Sequence, residues 1–369
     1  MTRAADAQEQ AGAATARETA AHLPGGSTTI PGTPATGTPA TGTAATGTAA
    51  TSATVTGDTA TAPLTRPRRL RRGDRVGIVA PSGPVPRERL TAGVDTLRDW
   101  GLEPVLGPHV LEPHPSMAHL ASADEHRARD FQEAWCDPSL SAVIAARGGY
   151  GAQRVLDLLD WDLLRTAAPK VFVGYSDLTV LHEALAQQLG LATLHGPMAA
   201  TASFLGDEAT REHLRRTLFT PESVREIGPV EGTRTLVPGR ARGITLGGNL
   251  SLLAAERGTR HARPSAAGGI LLLEDIAQQP YSLDRLLTQL LRSGWFEGVA
   301  GIALGSWTDC GEREDVRVVL RERLAPLGVP VVEELGFGHG TSTPTLPLGV
   351  PAVLDADART LTYDEPGLL

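Results

Sequence analysis

Residues 169–185 read PKVFVGYSDLTVLHEAL, and the reading of this stretch decides the architecture of the chain. Val171, Phe172 and Val173 form a continuous apolar run, the pattern of a strand buried on both faces. From Leu178 onward the apolar positions fall at Leu178, Leu181, Leu185 and Leu189, a single helical stripe. Ser176 and Asp177 occupy the junction. A strand feeding directly into a helix is half of a parallel βαβ unit, so its neighbours should repeat the pattern.

They do. RVGIVA (75–80) reads as a strand, followed by a helix from Pro86 to Trp100 that turns Leu90, Val94 and Leu97 inward and stops at Gly101. LEPVLG (102–107) is the next strand. Ser122 with Glu125 gives a capping-box signal for a helix through Phe131 and Trp135. SLSAVIAA (139–146) and LATLHG (191–196) read as strands, with a helix over Gln153–Leu159 between them. Alternation of this kind predicts a parallel sheet covered on both faces. Residues 200–239 are polar and carry Pro221, Pro229 and Pro238, so an irregular connection is expected there. Strands at GGILLLED, GVAGIALGSW and VPVVEELGFGHG, with helices over Ser282–Ser293 and Glu314–Leu324, predict a smaller second α/β domain over 240–369.

Composition bounds the remainder. Residues 1–65 are mainly Ala, Thr, Gly and Pro, too poor in large apolar side chains to offset the entropy of ordering, and a disordered tail is expected. No apolar core follows Arg3 or Arg17, and no later run reaches the ~18 residues of a membrane span, which predicts a soluble, cytoplasmic protein without a membrane partner. The run RPRRLRR (66–72) is short and the formal net charge is −8, so a solvated linker is expected there rather than a nucleic-acid arm. Cys136 and Cys310 are far apart, which suits a reducing compartment. HEALA (182–186) lacks the second histidine of H-E-x-x-H and no Cys/His cluster has ligand spacing, so neither metal nor cofactor is expected.

Three strand ends carry groups with chemical potential. Ser176 follows Gly174 on a strand–turn–helix, where a hydroxyl is exposed and the next backbone N–H, that of Asp177, can face a bound carbonyl oxygen. Leu178 stands where a hydrolase elbow has its last glycine, and on this segment alone an N-cap serine is the simpler reading. ARGGYGAQR (146–154) is a glycine loop without phosphate-cradle spacing; it offers a second N–H donor or merely a tight turn. ILLLED ends in Glu274 and Asp275, and GFGHGTSTPTLPLG sets His339 between glycines. Either acid could equally cap a helix or form an ion pair.

Taken in order, GDRVGIVAPSGP, ARGGYGAQRVLDLLD, PKVFVGYSDLTVLHEAL, ATLHGPM, GGNLSLLAAERGT, LLLEDIAQQPYSLDRLLTQL and GFGHGTSTPTLPLG resemble the LD-carboxypeptidase family over residues 73–350. The resemblance implies a flavodoxin-like nucleophile domain (66–199), a connection (200–239) and a C-terminal domain (240–369), with the active site at their interface. It implies a triad of Ser176, Glu274 and His339, choosing Glu274 over Asp275. The implied oxyanion hole is the backbone N–H groups of Asp177 and Gly149. The implied substrate is a murein tetrapeptide that loses its terminal D-alanine at an L,D bond during cytoplasmic recycling; Arg147 is the candidate for the substrate carboxylate. Family members tend to be homodimers. Gln278 stands where relatives often carry an acid. Two rivals follow: a self-immunity hydrolase of the same family acting on peptidyl-nucleotides, whose purine platform is expected from the 200–240 connection, where the aromatic residues are Phe204 and Phe219, and a non-catalytic ligand-binding module.

Overall fold

The structure, a computed structural model, describes residues 62–369; most of the expected tail over 1–65 lies outside the described residues. Its last two residues belong to the fold. The Leu64 N–H donates to Gly349 O at 2.9 Å, and Thr65 exchanges backbone hydrogen bonds with Gly190 and Ala192.

Strands β1 (Arg75–Val79), β2 (Glu103–Leu106), β3 (Leu140–Ala145), β4 (Val171–Gly174) and β5 (Thr193–His195) form a parallel sheet in the order β5-β4-β3-β1-β2, a flavodoxin-type arrangement. Successive residues leave a strand on opposite faces. Val171 and Val173 therefore enter one core with Ile78 and Ile144, whereas Phe172 joins Phe131 and Trp135 in the other.

The stretch 200–239 is not irregular. It forms helices Ala202–Gly206 and Glu208–Phe219, then β6 (Glu226–Ile227) and β7 (Arg234–Val237). Asp207 caps the second helix by accepting from the Thr210 N–H at 2.7 Å. Phe204, Leu214 and Leu218 pack into the first domain's core. The sparse apolar residues here fall on one helical face, a signal that the prolines obscure. The basic run at 66–72 leaves Arg68, Arg71 and Arg72 exposed but is also held to the fold: Leu70 is buried, its N–H donates to Leu218 O at 2.9 Å, and Arg66 reaches Pro366 O at 2.8 Å.

The second sheet has eight strands. β8 (Arg240–Asn249), β9 (Gly269–Ile276), β10 (Gly301–Thr308) and β11 (Val331–Glu333) run parallel. β12 (Leu346–Leu348) leaves this domain to pair antiparallel with β5 in the first sheet. β13 (Pro351–Asp355) and β14 (Thr360–Tyr363) then pair antiparallel beyond β8. Helix Pro280–Arg292 buries Leu283, Leu287 and Leu290 against one face of this sheet, each contributing about 1.5–3 kcal/mol relative to exposure. The opposite face packs with Ala192, Leu346 and Leu348 of the first sheet, so one apolar cluster spans both domains. The ends of β3, β4 and β9 and the loop after β11 bear the residues singled out above.

The helix after β2 runs over Asp124–Cys136 with Ala123 at its N-cap, and no side chain caps it. Ser122, expected to do so, donates instead to Glu112 Oε2 at 3.2 Å.

Candidate active site

Tyr175 leaves β4 fully extended, and Ser176 then adopts φ 63°, a left-handed conformation that costs a non-glycine residue roughly 1–2 kcal/mol. A short 3₁₀ turn over Ser176–Leu178 leads into helix Thr179–Leu189. Ser176 is therefore no ordinary N-cap: its side chain makes no cap bond, and the chain reverses at it so that it stands partly exposed between buried neighbours. The leucine in place of a final elbow glycine has a local explanation. A Cβ on Gly174 would lie 2.9 Å from Leu178 Cβ and Cγ, so the missing side chain at 174 makes room for the one at 178.

The glycine loop after β3 faces this serine. A Cβ on Gly148 would stand 3.2 Å from Ser176 Cβ and 3.5 Å from its Oγ. Gly148 O accepts from the Gly83 N–H at 3.1 Å, and Gly149 has φ 113°, where side chains are strained. The Gly149 N–H donates to no backbone carbonyl among the described residues. Asp177 brackets elbow to loop: its Oδ2 accepts from Ser82 Oγ at 2.6 Å and from the Ala152 N–H at 2.8 Å. Burial pushes the Asp177 carboxyl up to about 6, against the hydrogen bonds from Ser82 and Ala152.

The acid and the histidine come from the other sheet. Glu274 Oε2 lies 2.6 Å from His339 Nδ1, with the carboxylate wholly buried and the imidazole side chain 7% exposed. Gly338 permits the approach. Its φ is 97°, and a Cβ there would meet Glu274 Oε2 at 2.6 Å. Burial alone would raise the Glu274 carboxyl, but the charge and hydrogen bond of His339 hold it below its ordinary value. Burial would lower the His339 imidazole; the Glu274 charge and hydrogen bond, with Asp275, bring it above its usual range. The His339 ring lies 5.0 Å, centroid to centroid, from that of Tyr175, the neighbour of Ser176. Glu274 and His339 are thus paired, with Tyr175, the neighbour of Ser176, against the imidazole, and no hydrogen bond joins Ser176 Oγ to His339 among the described residues.

Alternation along β9 separates the two acids that the sequence leaves in competition. Asp275 turns away from His339 and accepts from the Ser251 N–H at 2.8 Å and Ser251 Oγ at 2.6 Å. Burial, then the Glu274 charge, pushes the Asp275 carboxyl up to about 6.

Several participants carry no sequence signal of their own. Asn249 Nδ2 reaches Asp275 Oδ1 at 3.0 Å and Glu274 Oε1 at 3.4 Å, while Asn249 Oδ1 caps helix Leu250–Ala255. The GGN triplet could have flagged it as a cap at a strand end, but not its contact with the acids. His195, at the end of β5, is buried between Tyr175 and Phe337, and neither ring nitrogen has a hydrogen-bond partner. Burial lowers its pKa to about 4, so the ring is neutral beside the triad.

Arg147, the candidate for the substrate carboxylate, is partly buried at the glycine loop and donates to Pro84 O at 3.1 Å. Gln278 Oε1 accepts from Ser282 Oγ at 2.8 Å at the head of the following helix. Of the two candidate purine platforms, Phe204 is buried edge-on to Trp100, and Phe219 is partly buried against the same core. Among the described residues no helix is long and apolar enough to cross a membrane.

Comparison with known proteins agrees with the fold. The LD-carboxypeptidase N-terminal domain matches residues 76–196, and the LD-carboxypeptidase C-terminal domain matches residues 242–354. A Streptomyces coelicolor protein carrying a provisional carboxypeptidase name is 60% identical over 305 residues, covering 83% of this chain and 98% of its own. The murein tetrapeptide carboxypeptidase of Pseudomonas aeruginosa is 33% identical over 291 residues, covering 77% of this chain and 94% of its own. The crystal structure of muramoyltetrapeptide carboxypeptidase from Oxalobacter formigenes superposes with a TM-score of 0.66 at 32% identity, covering 79% of this chain and 99% of its own. With both of the family's domains matched in order on a two-domain α/β fold, this chain belongs to the LD-carboxypeptidase family, whose members include murein tetrapeptide hydrolases.

Proposed function

We propose that the protein is a serine carboxypeptidase that removes the terminal D-alanine of a murein tetrapeptide at its L,D bond through an acyl-enzyme. The observation that carries the reading is the 2.6 Å bond from Glu274 to His339, beside a serine held at positive φ. His339 takes the Ser176 hydroxyl proton as Oγ attacks the carbonyl of the diamino acid, and Glu274 holds the imidazole in the tautomer that accepts it. The N–H groups of Asp177 and Gly149 stabilise the oxyanion, each donor contributing roughly 3 kcal/mol. Collapse breaks the amide bond, and His339 returns the proton to the departing amine of D-alanine. Water, deprotonated by the same histidine, then hydrolyses the ester. Substrate binding draws Ser176 and His339 into hydrogen-bond contact, as catalytic pairs commonly tighten in the reacting complex. Arg147 faces the free carboxylate of the substrate.

The burial of Phe204 and the packing of Phe219 against the same core support this substrate over a peptidyl-nucleotide, since the first ring is closed to a purine and the second is open only in part. The setting that follows is cytoplasmic recycling of murein by a homodimer. The test is D-alanine release from a free murein tetrapeptide by the intact protein and by Ser176→Ala. Release by the first, with a loss of at least about a thousandfold in the second, is expected. No release by a folded wild-type protein would remove the substrate, and equal release by both would remove the mechanism.

A further inference from the structure

The loop between β2 and helix Asp124–Cys136, with the first turn of that helix, gathers three further side chains. His109, Glu112 and His126 each present one donor atom, and the three atoms lie within 4.8 Å of one another. Glu112 Oε2 is 3.0 Å from His126 Nδ1 and 3.9 Å from His109 Nε2, and the two imidazoles stack with centroids 4.1 Å apart.

His109 is held for ligation in a way that chance surface clusters are not. Its Nδ1 lies 2.6 Å from Asp130 Oδ1, and its backbone N–H donates to Asp130 Oδ2 at 2.8 Å. With Nδ1 carrying the proton toward a carboxylate, Nε2 presents its lone pair to the cluster. This is the carboxylate–histidine support that orients metal-binding imidazoles. Asp130 is only 3% exposed, and Gly107 makes space for it: a Cβ there would stand 2.6 Å from Asp130 Oδ2.

We propose that His109 Nε2, His126 Nδ1 and a Glu112 carboxylate oxygen bind a borderline divalent transition ion, zinc above all. Two imidazoles and one carboxylate suit zinc, whose bonds of about 2.0–2.2 Å place tetrahedral ligand atoms roughly 3.3 Å apart, between the 3.0 Å from Glu112 to His126 and the 3.9 Å from Glu112 to His109. The cluster is partly open to solvent, which leaves a fourth position for water. The ion is a structural clip. It closes the loop 107–123 on the helix that follows: from the loop the Ala121 N–H donates to Ser82 O at 2.9 Å, and from the helix Arg127, next to His126, donates to Gly151 O of the glycine loop at 2.9 Å.

The experiment uses the full chain without a polyhistidine tag, stripped with chelator and dialysed against micromolar zinc or cobalt. One zinc per chain is expected, with visible cobalt absorption of a low-coordinate site and a thermal midpoint at least about 3 °C higher with zinc than without. Glu112→Gln and His126→Gln, both at the surface, should each weaken binding at least about tenfold. Asp130→Asn, which removes no ligand, should weaken it by about 10–100-fold. His114→Gln and His119→Gln should leave occupancy unchanged. Only trace zinc on the wild-type protein, or stoichiometric zinc undiminished in both Glu112→Gln and His126→Gln, would overturn the proposal. The cluster would then be a hydrogen-bonded loop anchor.

Discussion

The Asn249 N–H donates to Thr179 Oγ1 across 3.0 Å, joining the residue that supports Glu274 to the first turn of the helix that follows Ser176. The contact is close enough to need a glycine beside it, since a Cβ on Gly248 would lie 2.7 Å from Thr179 Oγ1. A buried ion pair reinforces the same junction, with Arg263 Nε 2.7 Å from Glu183 Oε2.

Thr179→Val keeps the shape but leaves the Asn249 N–H buried without an acceptor, a loss of about 1–3 kcal/mol. The variant should keep a native circular dichroism spectrum and lose at least about tenfold in kcat. Wild-type turnover would show that this contact does not set the register between Ser176 and Glu274.

Ser176 bears backbone strain that glycine would relieve. Ser176→Gly and Ser176→Ala should both be inactive, but the glycine variant should be the more stable in urea by about 1 kcal/mol. Equal stabilities would mean that the φ of 63° carries no cost here.

Glu274 raises the pKa of His339, and catalysis needs the neutral imidazole, so activity should rise as pH climbs through that raised value. Glu274→Gln removes the charge responsible. The acidic limb should move to lower pH while kcat falls by about 10⁴-fold. Stability carries the same signature. His339, raised on folding, contributes below its unfolded pKa and loses that contribution as pH rises through the folded value. Glu274, lowered on folding, contributes above its unfolded pKa and loses it as pH falls through the folded value. Wild type should therefore exceed Glu274→Gln most between the ordinary values of the two groups, 4.5 and 6.5. A gap in melting temperature that does not change with pH would contradict the pairing.

Gly338→Ala places a methyl 2.6 Å from Glu274 Oε2 at a backbone φ of 97°. Displacing the carboxylate from His339 should cost at least about 100-fold in kcat/KM with little change in KM. An active variant would show that the acid can adapt.

Asp177→Ala strips the acceptor from Ser82 and from the Ala152 N–H, loosening the glycine loop against the elbow. Turnover should fall by about 10–100-fold, and Asp177→Asn, which retains an acceptor oxygen, should recover most of it. Equal losses in both variants would assign the effect to charge instead.

The periodicities of the chain are enough for the parallel sheet, because Val171–Val173 and its counterparts in the inner strands β1 and β3 are apolar for a local reason: these strands are buried on both faces. The glycines at 174 and 338 and the junction serine were visible as oddities at strand ends. What they serve was not. Residues 200–239 looked irregular because their helices bury only a few residues, and those against a domain already complete in sequence. No capping rule could tell Ser122 that Glu112 would lie nearer than a helix N–H.

The sequence by itself determined the parallel-sheet strands and the helices between them, the strand-end location of Ser176 and Glu274, the glycine-flanked loop of His339, and the resemblance to a family. Only the tertiary structure decided which acid serves the histidine, because adjacent residues on β9 point to opposite faces and the pattern of a strand does not say which face meets Gly338. The same holds for His109, Glu112 and His126. Their spacing matches no metal motif, yet a turn after β2 and a helix start bring them within 4.8 Å. Side-chain chemistry is written residue by residue, but proximity between distant residues arises from the packing of elements around a common core, and that is a property of the whole chain.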